Sequence, residues 1–273
     1  MSTAWLGDRL GDPGLRIVDA TWYLPHLHRD ARAEFHEVHI PGAVYFDIDA
    51  IADRYRGLPH MLPDAGTFAG AVGALGIGDG DRVVVYAGKH LVASARVWWT
   101  FRVFGHERVA VLDGGFSRWR AEGRPTEAGE PSPVRRHFTA RFHPELVTDL
   151  DQVRGNVTTR RAQVVDARSA GRFAGTEPEL REGLRGGHIP GSLSLPYDRL
   201  FGRDGALLSR DDLRRVFEAA RVDLARPIVT TCGSGVTACV LALGLDLVGR
   251  SDVAVYDGSW TEWGGRDDVP VET

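Results

Sequence analysis

The stretch HIPGA at His39–Ala43 recurs as HIPGS at His188–Ser192, about half the chain further on. Matching segments lie on both sides of the two copies and in the same order, which chance does not explain. The period of about 145 residues is too long for a solenoid unit and fits a duplicated domain. The flanking pairs are IVDA at Ile17–Ala20 with VVDA at Val164–Ala167, and VAVLDGGFSRW at Val109–Trp119 with VAVYDGSWTEW at Val253–Trp263.

Short β-branched runs alternate with longer amphipathic stretches in each half, which is typical of strands joined by helical crossovers. This pattern predicts an α/β fold with two tandem domains, each a largely parallel sheet flanked by helices. The first half offers strands at Arg82–Tyr86 and Val109–Leu112 around a helix at Ser94–Phe104, and the second half offers strands at Pro227–Thr231 and Val253–Tyr256 around a helix at Thr237–Val248.

Between the halves, Glu122–Arg136 (EGRPTEAGEPSPVRR) is rich in proline, glycine and charge. Such composition is typical of an exposed linker. We therefore predict a first domain over residues 1–128, a linker over 129–145 and a second domain over 146–273.

Composition excludes several classes of function for these 273 residues. Thirty-three Lys and Arg against 37 Asp and Glu give a net charge of −4 without a dense basic run, so we expect no nucleic-acid partner. The first residues lack a secretory pattern and no apolar stretch could span a bilayer, so we expect a cytoplasmic protein without membrane contact. Two cysteines make no disulfide framework, and a thiol remains open to nucleophilic use.

The sharpest local feature is CGSGVTA at Cys232–Ala238, between a predicted strand and a predicted helix. Open α/β sheets bind their ligands at such junctions. Gly233 and Gly235 allow the loop to curl, so that its N–H groups and the following helix favour an anion, here the Cys232 thiolate. The alternative is a small buried cysteine followed by a glycine turn, and Cys239, inside the predicted helix, fits that core role.

A second chemistry uses a similar loop, because cysteine-dependent phosphatases run from the cysteine through five residues to a phosphate-binding arginine. Ala238 stands at that arginine position, and no arginine occurs from Cys232 to Leu247. Hydrolysis of phosphate esters is therefore disfavoured.

Over nearly its whole length the chain resembles the tandem rhodanese-domain sulfurtransferases, through its paired HIPG and DG segments. Its loop CGSGVTA is similar to that of the branch that uses 3-mercaptopyruvate, whereas relatives that use thiosulfate carry basic residues there, as in CRKGVTA. A doubly charged thiosulfate favours cations in the loop, while the loop in this chain is neutral.

The resemblance implies a set of site residues. Cys232 would carry the sulfur as a persulfide, and the loop residues Gly233, Gly235, Val236 and Thr237 would cradle it. Arg172 and Arg181, in GRFAGTEPELREG at Gly171–Gly183, match the pair that grips the substrate carboxylate and keto oxygens. Ser234 with His60 and Asp49 matches a proposed proton-handling chain, and for His60 a structural role is the alternative.

The two halves differ where the thiol should lie, because Ala87 aligns with Cys232. The first half therefore cannot perform thiol chemistry. Many family members carry an aspartate at the Ala87 position and a longer segment after it, so the short loop Ala87–Ala95 is a departure from the family.

The resemblance implies transfer of sulfur from 3-mercaptopyruvate to Cys232, release of pyruvate, and delivery to thioredoxin, another thiol or cyanide. No metal or organic cofactor is expected. Two alternatives stay open: a thiosulfate:cyanide sulfurtransferase with the same fold and persulfide, and a non-catalytic sulfur-carrier or docking module.

Overall fold

The computed structural model describes residues 1–88 and 91–273, which form two compact units. Each unit takes most of one half of the chain, and two short segments belong to the opposite unit. The first unit comprises Met1–Ala52, Pro63–Phe142 and Asp204–Ala206, and the second comprises Asp53–Leu62, His143–Arg203 and Leu207–Thr273.

The first unit is built on a four-stranded parallel sheet with the order β2-β1-β3-β4. Its strands are β1 (Leu15–Asp19), β2 (Ala43–Tyr45), β3 (Arg82–Tyr86) and β4 (Val109–Val111). Its helices are α1 (Thr3–Gly7), α2 (Ala31–Glu37), α3 (Ala65–Ala74), α4 (Val92–Val103) and α5 (Gly115–Ala121), with a 3₁₀ turn at Pro25–Leu27.

The second unit has a five-stranded parallel sheet with the order β5-β9-β8-β6-β7. Its strands are β5 (Val147–Thr148), β6 (Gln163–Asp166), β7 (Leu193–Ser194), β8 (Ile228–Thr231) and β9 (Ala254–Tyr256). Its helices are α6 (Leu150–Thr159), α7 (Ala170–Phe173), α8 (Arg210–Ala219), α9 (Ala238–Leu247) and α10 (Ser259–Trp263), with 3₁₀ turns at Pro144–Leu146 and Tyr197–Leu200.

The duplication is visible in the strand order, because β2-β1-β3-β4 of one unit corresponds to β7-β6-β8-β9 of the other. The predicted fold class is confirmed: both sheets are parallel and flanked by helices. The predicted strand Arg82–Tyr86 has the bounds of β3, while the helix predicted from Ser94 begins two residues earlier, at Val92.

Burial explains why the strand sequences read as continuous apolar runs. Val83 to Tyr86 of β3 and all four residues of β8 are buried, as expected for parallel strands covered on both faces by helices. Helix α4 is buried at every residue from Ala93 to Phe101, as expected for a helix that is apolar on most of its sides.

The two HIPG histidines make the same contacts in both units. Nδ1 of His39 lies 2.7 Å from the carbonyl oxygen of Phe35, and the two rings stack. Nδ1 of His188 likewise lies 2.8 Å from the carbonyl oxygen of Phe173, and these rings stack too. Both are buried and pair by antiparallel bridges with later segments. These contacts give both histidines a structural role.

The stretch predicted as a linker lies against the first unit over much of its length. The N–H of Arg136 donates to the carbonyl of Gly73 (2.9 Å), and that of Arg141 donates to Phe104 (3.0 Å). The division between the units follows Phe142. Within the described ranges, no helix is long and apolar enough to cross a membrane.

Candidate active site

Cys232 directly follows β8, at the carboxyl edge of the second sheet, and is buried. Its N–H donates to Oγ of Ser259 (3.2 Å), and the Ser259 hydroxyl donates to the carbonyl of Tyr256 (2.7 Å). The position of the thiol is thus fixed by the segment that follows the neighbouring strand β9.

The backbone carbonyls at the start of the loop accept hydrogen bonds from residues of α10. The carbonyl of Cys232 accepts from the N–H of Trp260 (2.9 Å), and that of Gly233 accepts from the N–H and the hydroxyl of Thr261 (2.8 and 2.7 Å). Gly235 has a φ of +74°, which turns the chain into α9.

The backbone N–H groups of the loop, unlike its carbonyls, are left for a ligand. Those of Gly233, Ser234, Val236 and Thr237 form no hydrogen bond with any other residue that the structure describes. Ser234 and Val236 are buried, as is Cys232. Such a loop can donate several backbone hydrogen bonds to an anionic sulfur at the amino end of α9.

Cys239 is the second residue of α9 and is fully buried. Its Sγ donates to the carbonyl of Gly235 (3.1 Å), which ties the first turn of the helix to the loop. These contacts assign it to packing and leave Cys232 as the thiol at the sheet edge.

Arg172, near the end of α7, lies beside the loop. A β-carbon at Gly233 would lie 3.1 Å from Nη2 of Arg172, so the guanidinium lies against the loop and would have to shift by a few tenths of an ångström for a larger residue there. Nε and Nη2 both donate to Oε2 of Glu179 (3.0 and 2.5 Å), while the side chain remains 15% exposed. Glu179 therefore holds one edge of the guanidinium in place.

Behind Arg172 lies a buried ion network that the sequence analysis missed. Arg168 is wholly buried, donates to the carboxylates of Asp166 (2.7 Å) and Glu179 (2.6 Å), and stacks on the Trp260 ring at 4.1 Å. Burial alone lowers the pKa of Arg168, but the two carboxylates outweigh it and raise the pKa. The contrast between VDAT in the first half and VDAR in the second was the available signal.

Arg181 lies two residues beyond Glu179 in the irregular segment before β7 and is partly exposed. The two predicted arginines thus lie on either side of Glu179 in the sequence, Arg172 seven residues before it and Arg181 two residues after it. Their contact with substrate stays a prediction.

His60 lies in Asp53–Leu62, the segment that joins the second unit. The N–H of Leu62 donates to Oδ2 of Asp257 (2.8 Å), which attaches this segment to the residue directly after β9. His60 itself is buried with a left-handed φ of +61°. The sequence did not indicate that the segment leaves the first unit.

Asp49 belongs to the first unit, is exposed, and accepts from Nε1 of Trp22 (2.8 Å). Its predicted pairing with His60 therefore involves two units and stays a prediction. In the described residues, no group of three or more His, Cys, Asp or Glu side chains is arranged to hold a metal ion.

The first unit repeats the backbone of the loop without the thiol. The carbonyl of Ala87 accepts from the N–H of Phe116 (2.9 Å), and that of Gly88 accepts from the N–H and hydroxyl of Ser117 (both 3.0 Å). Lys89 and His90, within the short loop Ala87–Ala95, lie outside the described residues.

The Rhodanese-like domain family matches residues 2–122 and 149–266, one match in each half of the chain. The chain belongs to the rhodanese family. It is a sulfurtransferase with two rhodanese domains, of which the second carries the cysteine.

Relatives of known name agree with this assignment over nearly the whole chain. The rhodanese protein is 46% identical to human 3-mercaptopyruvate sulfurtransferase, over 96% of this chain and 91% of that one. It is 45% identical to bovine thiosulfate sulfurtransferase, over 100% and 93%. The crystal structure of SseA from Escherichia coli, described as a 3-mercaptopyruvate sulfotransferase, matches with a TM-score of 0.87 at 38% identity, over 95% and 98%.

Proposed function

We propose that this sulfurtransferase takes sulfur from 3-mercaptopyruvate onto Cys232 and passes it to a thiol. The observation that carries the choice of donor is the neutral loop CGSGVTA with the guanidinium of Arg172 beside Gly233. Overall similarity does not choose between donors, because relatives named for mercaptopyruvate and for thiosulfate are equally close.

The charge near the loop suits one carboxylate. The two carboxylates, Glu179 and Asp166, balance the two guanidinium groups, Arg168 and Arg172, so the four charges of this group sum to zero. A thiosulfate dianion would need further cations, and the loop supplies none. A planar carboxylate matches the guanidinium of Arg172, and Arg181 would hold the keto oxygen.

The sulfur transfer follows from this placement. The Cys232 thiolate attacks the sulfur of the bound donor and forms an S–S bond while the C–S bond breaks. The electron pair of that bond goes to carbon, which leaves as the enolate of pyruvate and takes a proton from Ser234 or His60. Cys232 is left as a persulfide.

The persulfide would be stabilised by the loop N–H groups described above. An acceptor thiolate then attacks the outer sulfur, takes it as a new persulfide and returns Cys232 as a thiolate. Thioredoxin or another thiol is the proposed acceptor, and cyanide serves in an assay. The cytoplasmic location expected from the sequence remains a prediction, which cell fractionation would test.

The experiment is pyruvate release from 3-mercaptopyruvate, with thiosulfate in parallel at matched concentrations. Cys232→Ser should abolish the activity and Cys239→Ser, which alters the packed thiol, should retain it. Activity that survives without Cys232 would refute the mechanism.

Thiosulfate as donor is the second candidate, favoured by the bovine relative. A higher kcat/KM for thiosulfate would select it. Persulfide on Cys232 without turnover of either donor would instead support the sulfur-carrier alternative.

A further inference from the structure

A cavity of about 830 Å³ lies in the first unit at the carboxyl edge of its sheet. Its walls include Asp19 at the end of β1, Gly88 after β3, and Phe116 and Ser117 at the start of α5. None of the site residues named above lines it, so the proposed sulfur transfer does not explain it.

The duplication shows what fills the corresponding place in the second unit. Asp19 corresponds to Asp166, and Thr21 corresponds to Arg168. In the second unit the guanidinium of Arg168 lies between the Asp166 carboxylate and the ring of Trp260, at 2.7 Å and 4.1 Å.

The first unit keeps the carboxylate and an aromatic ring, but among its described residues no guanidinium forms an ion pair with that carboxylate. Phe116 stands where the second unit has Trp260, because both donate their N–H to the loop carbonyl after the central strand. Thr21 is too short to reach between them, and its N–H and hydroxyl donate to Oδ1 of Asp19. The cavity therefore includes the place that an arginine side chain occupies in the second unit, and it is larger than that side chain.

Three carboxylates, Asp19, Glu34 and Glu37, and two guanidinium groups, Arg29 and Arg120, line the cavity, so its walls carry one more acidic than basic group, which favours a cation. Asp19 is buried, and no Lys, Arg or His among the described residues forms an ion pair with it. Glu34 on the facing helix already bonds Arg29 and the hydroxyl of Tyr23. Arg120 lies 6.0 Å from the Phe116 ring centroid, at the outer limit of a cation–π contact.

We propose that this cavity binds a small molecule carrying a guanidinium group, with Asp19 as its carboxylate partner and Phe116 as its flat neighbour. A planar guanidinium donates in a fork to a carboxylate and stacks on a ring, which a compact ammonium cannot do. The site is independent of the sulfur-transfer chemistry at Cys232.

The test is a thermal-unfolding titration of the full chain with guanidinium chloride at millimolar, non-denaturing concentrations. Ammonium chloride at the same ionic strength is the control. A ligand that binds only the folded state raises Tm in a saturable way. We expect such a rise of about 2 °C with guanidinium at roughly ten times its Kd, and none with ammonium.

Two variants at the cavity sharpen the test. Asp19→Asn should remove the guanidinium response, and Thr21→Arg should remove it by filling the cavity with a tethered guanidinium. Thr21→Met is the matched control, since it has similar reach without the charge, and Thr21→Arg should have the higher Tm of the two. An equal response to ammonium, no saturable response, or a response that survives in both Asp19→Asn and Thr21→Arg would overturn the proposal.

Discussion

The two halves of this rhodanese protein share a backbone and differ in what stands on it. In both, the loop after the central strand is fixed through its carbonyls by the N–H groups of the helix that follows the next strand. The differences lie in a few side chains, so the fold supplies the loop and a handful of residues supply the chemistry. The pairs are Ala87 and Cys232, Thr21 and Arg168, Gly115 and Ser259, and Phe116 and Trp260.

The two halves also differ in how they stabilise a buried carboxylate. Each has a buried aspartate at the end of its first central strand. Asp166 is paired with Arg168. Asp19 accepts hydrogen bonds and forms no ion pair with any Lys, Arg or His that the structure describes, and burial raises the pKa of its carboxyl. The first unit thus keeps the aspartate of the ion network and has a threonine at the position of its arginine.

The largest expected effect comes from removing the thiol that distinguishes the halves. Cys232→Ser should lower sulfur transfer by more than about 10³-fold, because no other group can carry the sulfur. Adding Ala87→Cys to that variant should restore nothing, because the first unit lacks counterparts of Arg168 and Arg172. Rescue by Ala87→Cys in the pyruvate-release assay would show that the shared backbone alone suffices.

The next effect is on stability. Arg168→Thr gives the second half the residue of the first and leaves two buried carboxylates with less positive charge. We expect a loss of about 3–5 kcal/mol in the free energy of unfolding, measured by urea denaturation. Arg266→Thr, at an exposed ion pair, is the control and should change little; similar losses in both variants would contradict the network's importance.

A smaller effect concerns the first residue of the helix whose N–H groups hold the loop. Ser259 has a φ of +49° and Gly115 a φ of +57°, so the second half holds a side chain where the first has none. Ser259→Ala keeps this backbone strain and loses the hydroxyl, while Ser259→Gly loses both. Ser259→Gly should therefore be the more stable variant by about 1 kcal/mol in thermal unfolding.

The reverse change in the first half should cost stability. A β-carbon at Gly115 would lie 2.5 Å from the carbonyl oxygen of Ala87, so Gly115→Ala should destabilise by about 1–3 kcal/mol in urea unfolding. An unchanged midpoint would mean that the loop of the first half moves freely.

The smallest effect is one of pH. Because the pKa of Asp19 is raised in the folded state, the folded chain holds this proton more tightly than the unfolded chain does. Its contribution to stability is therefore full below about pH 4, the ordinary range of an aspartate, and is lost as pH rises through the folded-state pKa. The stability of wild type relative to Asp19→Asn should fall over that range, and a difference independent of pH would contradict it.

The sequence predicted the duplicated parallel fold because its signals are local and repeated. Buried strands such as Arg82–Tyr86 are continuous β-branched runs, and the HIPG segments occur twice. The loop after Cys232 was predictable for the same reason, since its glycines, its thiol and its helix are neighbours in the chain.

The parts that escaped prediction depend on distant contacts. Nothing near Glu179 indicates that its two carboxylate oxygens separately hold Arg168 and Arg172. Likewise, the composition of Asp53–Leu62 does not show that it joins the second unit. A comparison of the halves at Thr21 and Arg168 was the one local sign of the ion network.

The bond from Leu62 to Asp257 joins residues 195 positions apart. During synthesis from the amino terminus, Leu62 is made 195 residues before its partner Asp257. The four strands of the first unit can pair before Asp257 is made, whereas Leu62 cannot form this bond until then. A chain that stops before Asp257 would therefore contain His60 without the contact that holds its loop, and long-range contacts of this kind slow the final step of folding.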